Sequence, residues 1–146
     1  MSEGTLNLHG GCVLLGEAGL LILGPSGIGK SALARRLVAE RRAAGGFAAL
    51  VADDRVLVSR HGGRIVARPH PALAGFAEHR GLGIRPVSHE GAAVLRLVVE
   101  LTREPAPRMP EEADLAATLL GIRIPRVAGM AAEAGALIEA AISWPG

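Results

Sequence analysis

Gly24-Pro25-Ser26-Gly27-Ile28-Gly29-Lys30-Ser31 meets the pattern G-x-x-x-x-G-K-[ST] at every fixed position, and no other segment constrains the chain so strongly. Its glycines let the backbone wrap tightly and turn N–H groups inward as an anion nest. A helix starting near Lys30 adds the positive end of its dipole. Lys30 places a point charge where β- and γ-phosphates lie, and the Ser31 hydroxyl can take one position on Mg²⁺. Without a ligand, the same letters would be a Gly-rich turn between strand and helix. The flanks favour the phosphate site. Leu20-Leu21-Ile22-Leu23 is a short, wholly apolar strand, as expected at a buried sheet position. From Lys30 to about Ala43, residues Leu33, Ala34, Leu37 and Val38 recur at helical spacing, with Arg35, Arg36, Glu40 and Arg41 on the wet side. Every residue from Gly24 to Ser31 is therefore a candidate ATP contact.

The rest of the chain alternates short apolar runs with turn residues. Residues 5–15 read as one strand leading to a turn at Gly16-Glu17-Ala18-Gly19. Gly45-Gly46 stops the helix. Residues 47–52 read as a strand ending in Asp53-Asp54. Val56-Leu57-Val58, a His61-Gly62-Gly63 turn and Ile65-Val66 suggest a hairpin. A loop marked by Pro69, Pro71 and Gly75 follows, with one helical turn expected up to Arg80 and an irregular Gly81-Leu82-Gly83. Ala93 to Leu101 is a strong strand, and Pro105, Pro107 and Pro110 stiffen the next loop. Helix is expected over 111–120, a short strand at Ile122-Arg123-Ile124, and an Ala-rich helix over 131–142. Strands and helices intermix, so the class is α/β, a P-loop-containing mixed β-sheet with flanking helices.

The 146 residues suit a single domain, 1–146. The aromatics are only Phe47, Phe76 and Trp144, so the core must be built from Leu, Val, Ile and Ala. A formal net charge of +2, with scattered Arg and no stacking platform, argues against nucleic acid as a partner. The single cysteine, Cys12, excludes an intrachain disulfide and reads as a small core residue. The start, Met1-Ser2-Glu3-Gly4, lacks the basic region of a signal peptide. The apolar stretch Val13 to Leu23 is interrupted and shorter than the about 20 residues a membrane span needs. A cytoplasmic protein is expected.

Asp53-Asp54 is the second candidate element. An apolar strand ending in acid is where P-loop proteins place a carboxylate near the metal or the attacking group. Two adjacent carboxylates repel, which suits one of them to act as a base. The alternative is an ordinary Asp pair at a strand-to-turn boundary.

Val51-Ala52-Asp53-Asp54-Arg55-Val56 resembles the V-A-D-D-x-V segment of the HPr kinase/phosphorylases, bifunctional enzymes acting on a serine of the phosphocarrier protein HPr. Glu78-His79-Arg80-Gly81-Leu82-Gly83-Ile84 is similar to that family's E-I-R-G-L-G-I signature, with His79 in place of Ile. Leu8-His9 matches its His ahead of the P-loop strand, Pro107-Arg108-Met109 the place of its catalytic Arg, and Ile124-Pro125-Arg126 its I-P-K segment. These matches cover nearly the whole chain in order.

The resemblance implies an HPr kinase/PEP carboxykinase-like fold and an ATP- and Mg²⁺-dependent serine kinase acting on HPr, in control of sugar phosphotransfer or carbon and nitrogen metabolism. It implies that Asp54 takes the seryl proton, with Asp53 beside it, and that His9 assists. Ser31 and Glu78 would hold Mg²⁺, and Lys30 and Arg108 would stabilise phosphoryl charge. The segment Glu78–Val87 would handle substrate, and a homo-oligomer, a hexamer, is expected. Family members commonly carry an extra N-terminal domain, whereas this chain starts almost at the catalytic one. The family's Arg-containing loop after I-P-K, associated with dephosphorylation, is here Val127-Ala128-Gly129-Met130-Ala131-Ala132-Glu133, without Arg. Weak dephosphorylation is therefore expected. The rivals are a small-molecule or nucleotide kinase, disfavoured by the lack of an Arg-rich lid, and a nucleotide-sensing module, disfavoured by the Asp pair. His61, His70, His79 and His89 have no metal-ligand spacing.

Overall fold

A computed structural model describes residues 4–79 and 81–143. Arg80 of the signature and Trp144 lie outside them. The first strands are β1 (Thr5–His9), β2 (Gly11–Leu15) and β3 (Ala18–Leu23), followed by helix α1 (Lys30–Ala43). Next come β4 (Ala48–Ala52), the hairpin β5 (Arg55–His61) and β6 (Arg64–Pro69), and a second hairpin β7 (Phe76–His79) and β8 (Gly83–Pro86). The chain closes with β9 (Ala93–Leu101), β10 (Ala116–Leu119), β11 (Ile122–Gly129) and helix α2 (Ala131–Ser143).

The main sheet runs β1-β5-β6-β9-β3-β2-β4, with β11 also on β9 and β10 on β11. It is mixed, because β9 runs parallel to both β3 and β11 while the other pairs are antiparallel. The expected class holds. One face carries α1 and α2 over Leu20, Ile22, Leu33, Leu97, Leu101 and Ile138. The other face closes over Leu21, Val51, Val56, Val58, Ile65 and Val98. With apolar side chains buried on both sides, β3 needs no polar face, which explains its unbroken apolar sequence, and β9 carries only Arg96 and Glu100 among apolar residues.

Four expectations are corrected. The strand expected over 5–15 is two strands, divided at Gly10, where the chain leaves β5 and joins β3 and β4. The passage is tight: a Cβ on Gly10 would sit 2.6 Å from the Ile22 carbonyl oxygen. The helical turn expected before Arg80 is strand β7, because Gly81 (φ +88°) and Gly83 (φ +83°) supply a hairpin turn to β8. The helix expected over 111–120 is a short 3₁₀ turn, Glu112–Leu115, followed by β10. There the Leu120-Gly121 turn folds β10 back on β11, and the left-handed Leu120 (φ 50°) is held by Arg60 Nη1 donating to its carbonyl at 3.1 Å. The strand expected at 122–124 extends to Gly129, because its second half pairs with β9.

Cys12 is completely buried beside Leu21 and Val51, and burial pushes its thiol up to about 12. It is therefore a neutral thiol at pH 8 in the folded protein. Iodoacetamide at pH 8 should leave Cys12 unmodified in the native state and alkylate it within minutes in denaturant, as read by intact mass. Comparable rates in both states would contradict its place in the core.

Candidate active site

Strand polarity gathers the candidate residues at one edge of the sheet. The C-terminal ends of β3, β4 and β9 and the N-terminal end of β2 meet there, because Leu23 pairs with Glu100, Gly11 with Ile22, and Cys12 with Ala52. The loop 24–29 leaves β3 at this edge. Gly24 has φ +152°, and a Cβ on it would meet the Leu101 carbonyl oxygen at 2.8 Å, so β9 backs the loop and only Gly fits. Lys30 opens α1 and is 9% exposed. Its Nζ donates to the carbonyls of Gly24 at 2.7 Å and Pro25 at 3.2 Å. Among the described residues no carboxylate pairs with it. A buried ammonium tied to loop carbonyls, with its charge uncompensated, suits a bound anion. Ser31 lies half-buried in the first helical turn.

The two aspartates diverge. Asp53 Oδ2 accepts the Glu78 backbone N–H at 3.0 Å. Asp54 Oδ1 lies 2.9 Å from His9 Nε2, both side chains being about half exposed. The Asp54 carbonyl also accepts the Gly10 N–H at 2.9 Å, so the His9-Gly10 corner is clamped to Asp54 by side chain and backbone together. Strand β4 lies two places from β3, so Asp54 stands roughly 10 Å along the edge from the phosphate loop, given strand spacing.

Arg35, read from sequence as solvated, instead donates from Nη1 to the Glu78 carbonyl at 3.3 Å. It lies one helical turn beyond Ser31, on the same face of α1. Asp53 and Arg35 thus hold the Glu78 backbone from both sides, which brings this residue to the first turns of α1. The exposed Glu78 carboxylate and Ser31 are the candidate Mg²⁺ ligands. No group of three His, Cys, Asp or Glu among the described residues could hold a metal. Mg²⁺ beside a nucleotide takes one or two carboxylate ligands and completes its shell with phosphate and water.

Arg108 makes no hydrogen bond or ion pair with this cluster. It sits exposed in the loop after β9 and makes none with any other described residue. The loop itself is fastened nearby: Glu133 Oε1 accepts the backbone N–H of Ala106 at 2.6 Å and that of Met130 at 2.8 Å, the latter capping α2. Arg126 is engaged too, 3.5 Å from the Glu100 carboxylate and donating to the Asp114 carbonyl at 2.9 Å. Sequence reasoning missed Gly10, Arg35 and Glu133. Glu133 carried a signal, an acid three residues after a helix start, whereas Gly10 and Arg35 act only through tertiary contacts.

The family model described as HPr Serine kinase C-terminal domain matches residues 2–142. The chain belongs to this family. An HPr kinase/phosphorylase of Bordetella petrii is 35% identical over 153 aligned positions, covering 94% of this chain and 47% of that protein. One from Neisseria meningitidis is 40% identical over 82 positions, 56% of this chain and 24% of the relative. The chain thus spans about half, or less, of the length of these relatives. The solved structure of the HPr(Ser) kinase/phosphatase from Coxiella burnetii shares the fold, with a TM-score of 0.73 at 24% identity over 94% of this chain and 93% of that one. No helix among the described residues is long and apolar enough to cross a membrane.

Gly10→Ala should cost about 1–3 kcal/mol, because the new methyl must displace the Ile22 carbonyl. It should also loosen His9 from Asp54, visible as loss of the His9 Nε2 hydrogen-bond signature in ¹⁵N NMR. A stable variant with an unchanged His9 signal would show that the corner is not what sets the pair.

Proposed function

We propose that this chain is an ATP- and Mg²⁺-dependent protein-serine kinase whose acceptor is the phosphocarrier protein HPr. The observation that carries the proposal is the Asp54–His9 contact of 2.9 Å at the same sheet edge as the buried Lys30. Bound Mg·ATP would supply the phosphoryl group and most of the charge neutralisation. Lys30 and the loop N–H groups hold the phosphates, and Ser31 and Glu78 offer oxygen to the cation. Asp54 takes the proton from the seryl oxygen on Oδ2, and His9, whose Nε2 contacts Oδ1, fixes the carboxylate's orientation. Asp53 is a positioning residue, since its Oδ2 is occupied by the Glu78 backbone. Arg108, on its exposed loop, would stabilise phosphoryl charge. Cytoplasmic location, a hexameric assembly and a role in control of sugar phosphotransfer or carbon and nitrogen metabolism belong to the same proposal and rest on family membership.

Asp54→Asn should cut the chemical step on the order of a hundredfold or more while leaving nucleotide affinity close to wild type, since Asn keeps the shape but cannot take the proton. Single-turnover transfer to HPr and nucleotide titration together read this split. Equal losses in both would make Asp54 a metal ligand or a structural residue instead. Lys30→Ala should abolish transfer, and near-normal turnover would sink the phosphate-loop assignment.

Glu78→Gln should raise the Mg²⁺ concentration for half-maximal rate, because a charged hard oxygen ligand is lost. An unchanged Mg²⁺ titration would remove Glu78 from the metal site.

Return of the phosphate from phosphorylated HPr to inorganic phosphate should be slow relative to the forward rate. Residues 127–129 belong to β11, the segment has no Arg, and Arg126 is already engaged by Glu100 and Asp114. No free guanidinium is thereby offered to an incoming phosphate from this segment. Comparable forward and return rates would overturn this part.

A further inference from the structure

Three parallel strands end together at the edge that carries the phosphate loop. Leu23 of β3 pairs with Glu100 of β9, and Gly129 of β11 pairs with Leu101. The loop after β9 and helix α2, which follows β11, therefore leave the sheet side by side. Helix α2 begins against the phosphate loop: a Cβ on Gly29 would lie 3.7 Å from that of Ala131, and Arg36 Nη2 of α1 donates to the Ala131 carbonyl at 3.4 Å. The loop after β9 is tied to the same place. Thr102 donates its backbone N–H to the Gly129 carbonyl at 2.9 Å, and Glu133 Oε1 accepts the backbone N–H groups of Ala106 and Met130. Gly129 leaves room for this joint, since a Cβ there would stand 2.8 Å from Glu133 Oε1 and 3.2 Å from the Ala106 Cβ. Beyond it, no residue from Pro107 to Pro110 makes a hydrogen bond or ion pair with a described residue. Ala106 is thus the last fastened residue before Arg108.

One carboxylate oxygen that accepts two backbone N–H groups makes a strong, charge-assisted joint. Only Pro107, with its fixed φ, separates Ala106 from Arg108. Two residues of chain span at most about 7 Å, so the place of Ala106 limits where Arg108 can stand. We infer that Glu133 is a positioning residue for Arg108, an assignment that rests on the proposed kinase activity. Through Ala106 it sets where the guanidinium is delivered relative to the phosphate loop that α2 abuts. It acts through the loop and not on the substrates. Its two contacts are separable: the Met130 N–H serves the start of α2, whereas the Ala106 N–H serves the loop that carries Arg108.

Single-turnover transfer from Mg·ATP to HPr by the full chain tests it, beside nucleotide titration. Glu133→Ala should slow transfer at saturating nucleotide by about tenfold or more, because a misplacement of about 1 Å can cost a hundredfold. Nucleotide affinity should stay close to wild type, since Lys30 and its loop are untouched. Glu133→Gln keeps an acceptor oxygen and should recover most of the rate. In an Arg108→Ala background Glu133→Ala should cost nothing further, because a positioning residue has no effect once the group it positions is gone. A purely structural role predicts instead that the two losses multiply. Ala106→Pro deletes the loop's donor and leaves the α2 cap, so it should reproduce the loss even where Glu133→Ala does not fold. Wild-type rates in Arg108→Ala or in Ala106→Pro overturn the inference. So do multiplied losses in the double variant, or a Glu133→Gln variant as slow as Glu133→Ala. With any of these, transfer by the wild-type chain leaves the kinase activity standing and removes Glu133 alone. A wild-type chain that leaves HPr unmodified overturns both.

Discussion

Parallel pairing of β3 with β9 is the constraint on which the rest of the structure depends. It is the only way both C-terminal ends reach the same edge, and it leaves Leu101 pressed against Gly24 so tightly that no side chain fits between them. The loop is thereby forced up over α1, where Lys30 folds back onto two loop carbonyls. Antiparallel β2 then returns to that edge, and β4, antiparallel to β2, delivers its two aspartates there. One strand direction thus assembles the phosphate loop, the acids and the histidine without any of them being neighbours in sequence.

Electrostatics divides the labour within the site. The positive loop and Lys30 are partly buried and uncompensated, which is costly without a ligand and favourable with an anion. The aspartates stand at the solvent side and are kept apart by two different partners, the Glu78 N–H and His9. Adjacent carboxylates that would repel if they shared a direction are separated by their hydrogen bonds. Asp53 is tied to the backbone of the β7 hairpin, and Asp54, paired with His9, is the proposed base.

Local signals made part of this legible beforehand. The phosphate loop, α1 and β9 were readable because motif, apolar run and helical spacing each span enough residues to overrule chance. Asp53-Asp54 and His9 could be named, but not their split roles, since the contact of Asp54 with His9 links residues 45 apart. The failures share a cause. Residues 111–120 looked helical, yet pairing with β11 and the Leu120-Gly121 turn decided for strand. The break at Gly10 depends on the approach of Ile22, and Arg35 found a partner on a hairpin that the sequence suggested only as a helical turn. In each case a tertiary contact overrode a weak local preference.

The central claim is that this edge transfers a phosphoryl group to a serine hydroxyl held between Lys30 and Asp54. The most direct test is to incubate the protein with HPr, ATP and Mg²⁺ for less than one turnover and to locate the modification by mass spectrometry. A single phosphoserine on HPr, formed by the wild-type chain, is the predicted result. Phosphate on a histidine of HPr, or on a small acceptor while HPr stays unmodified, would contradict the account.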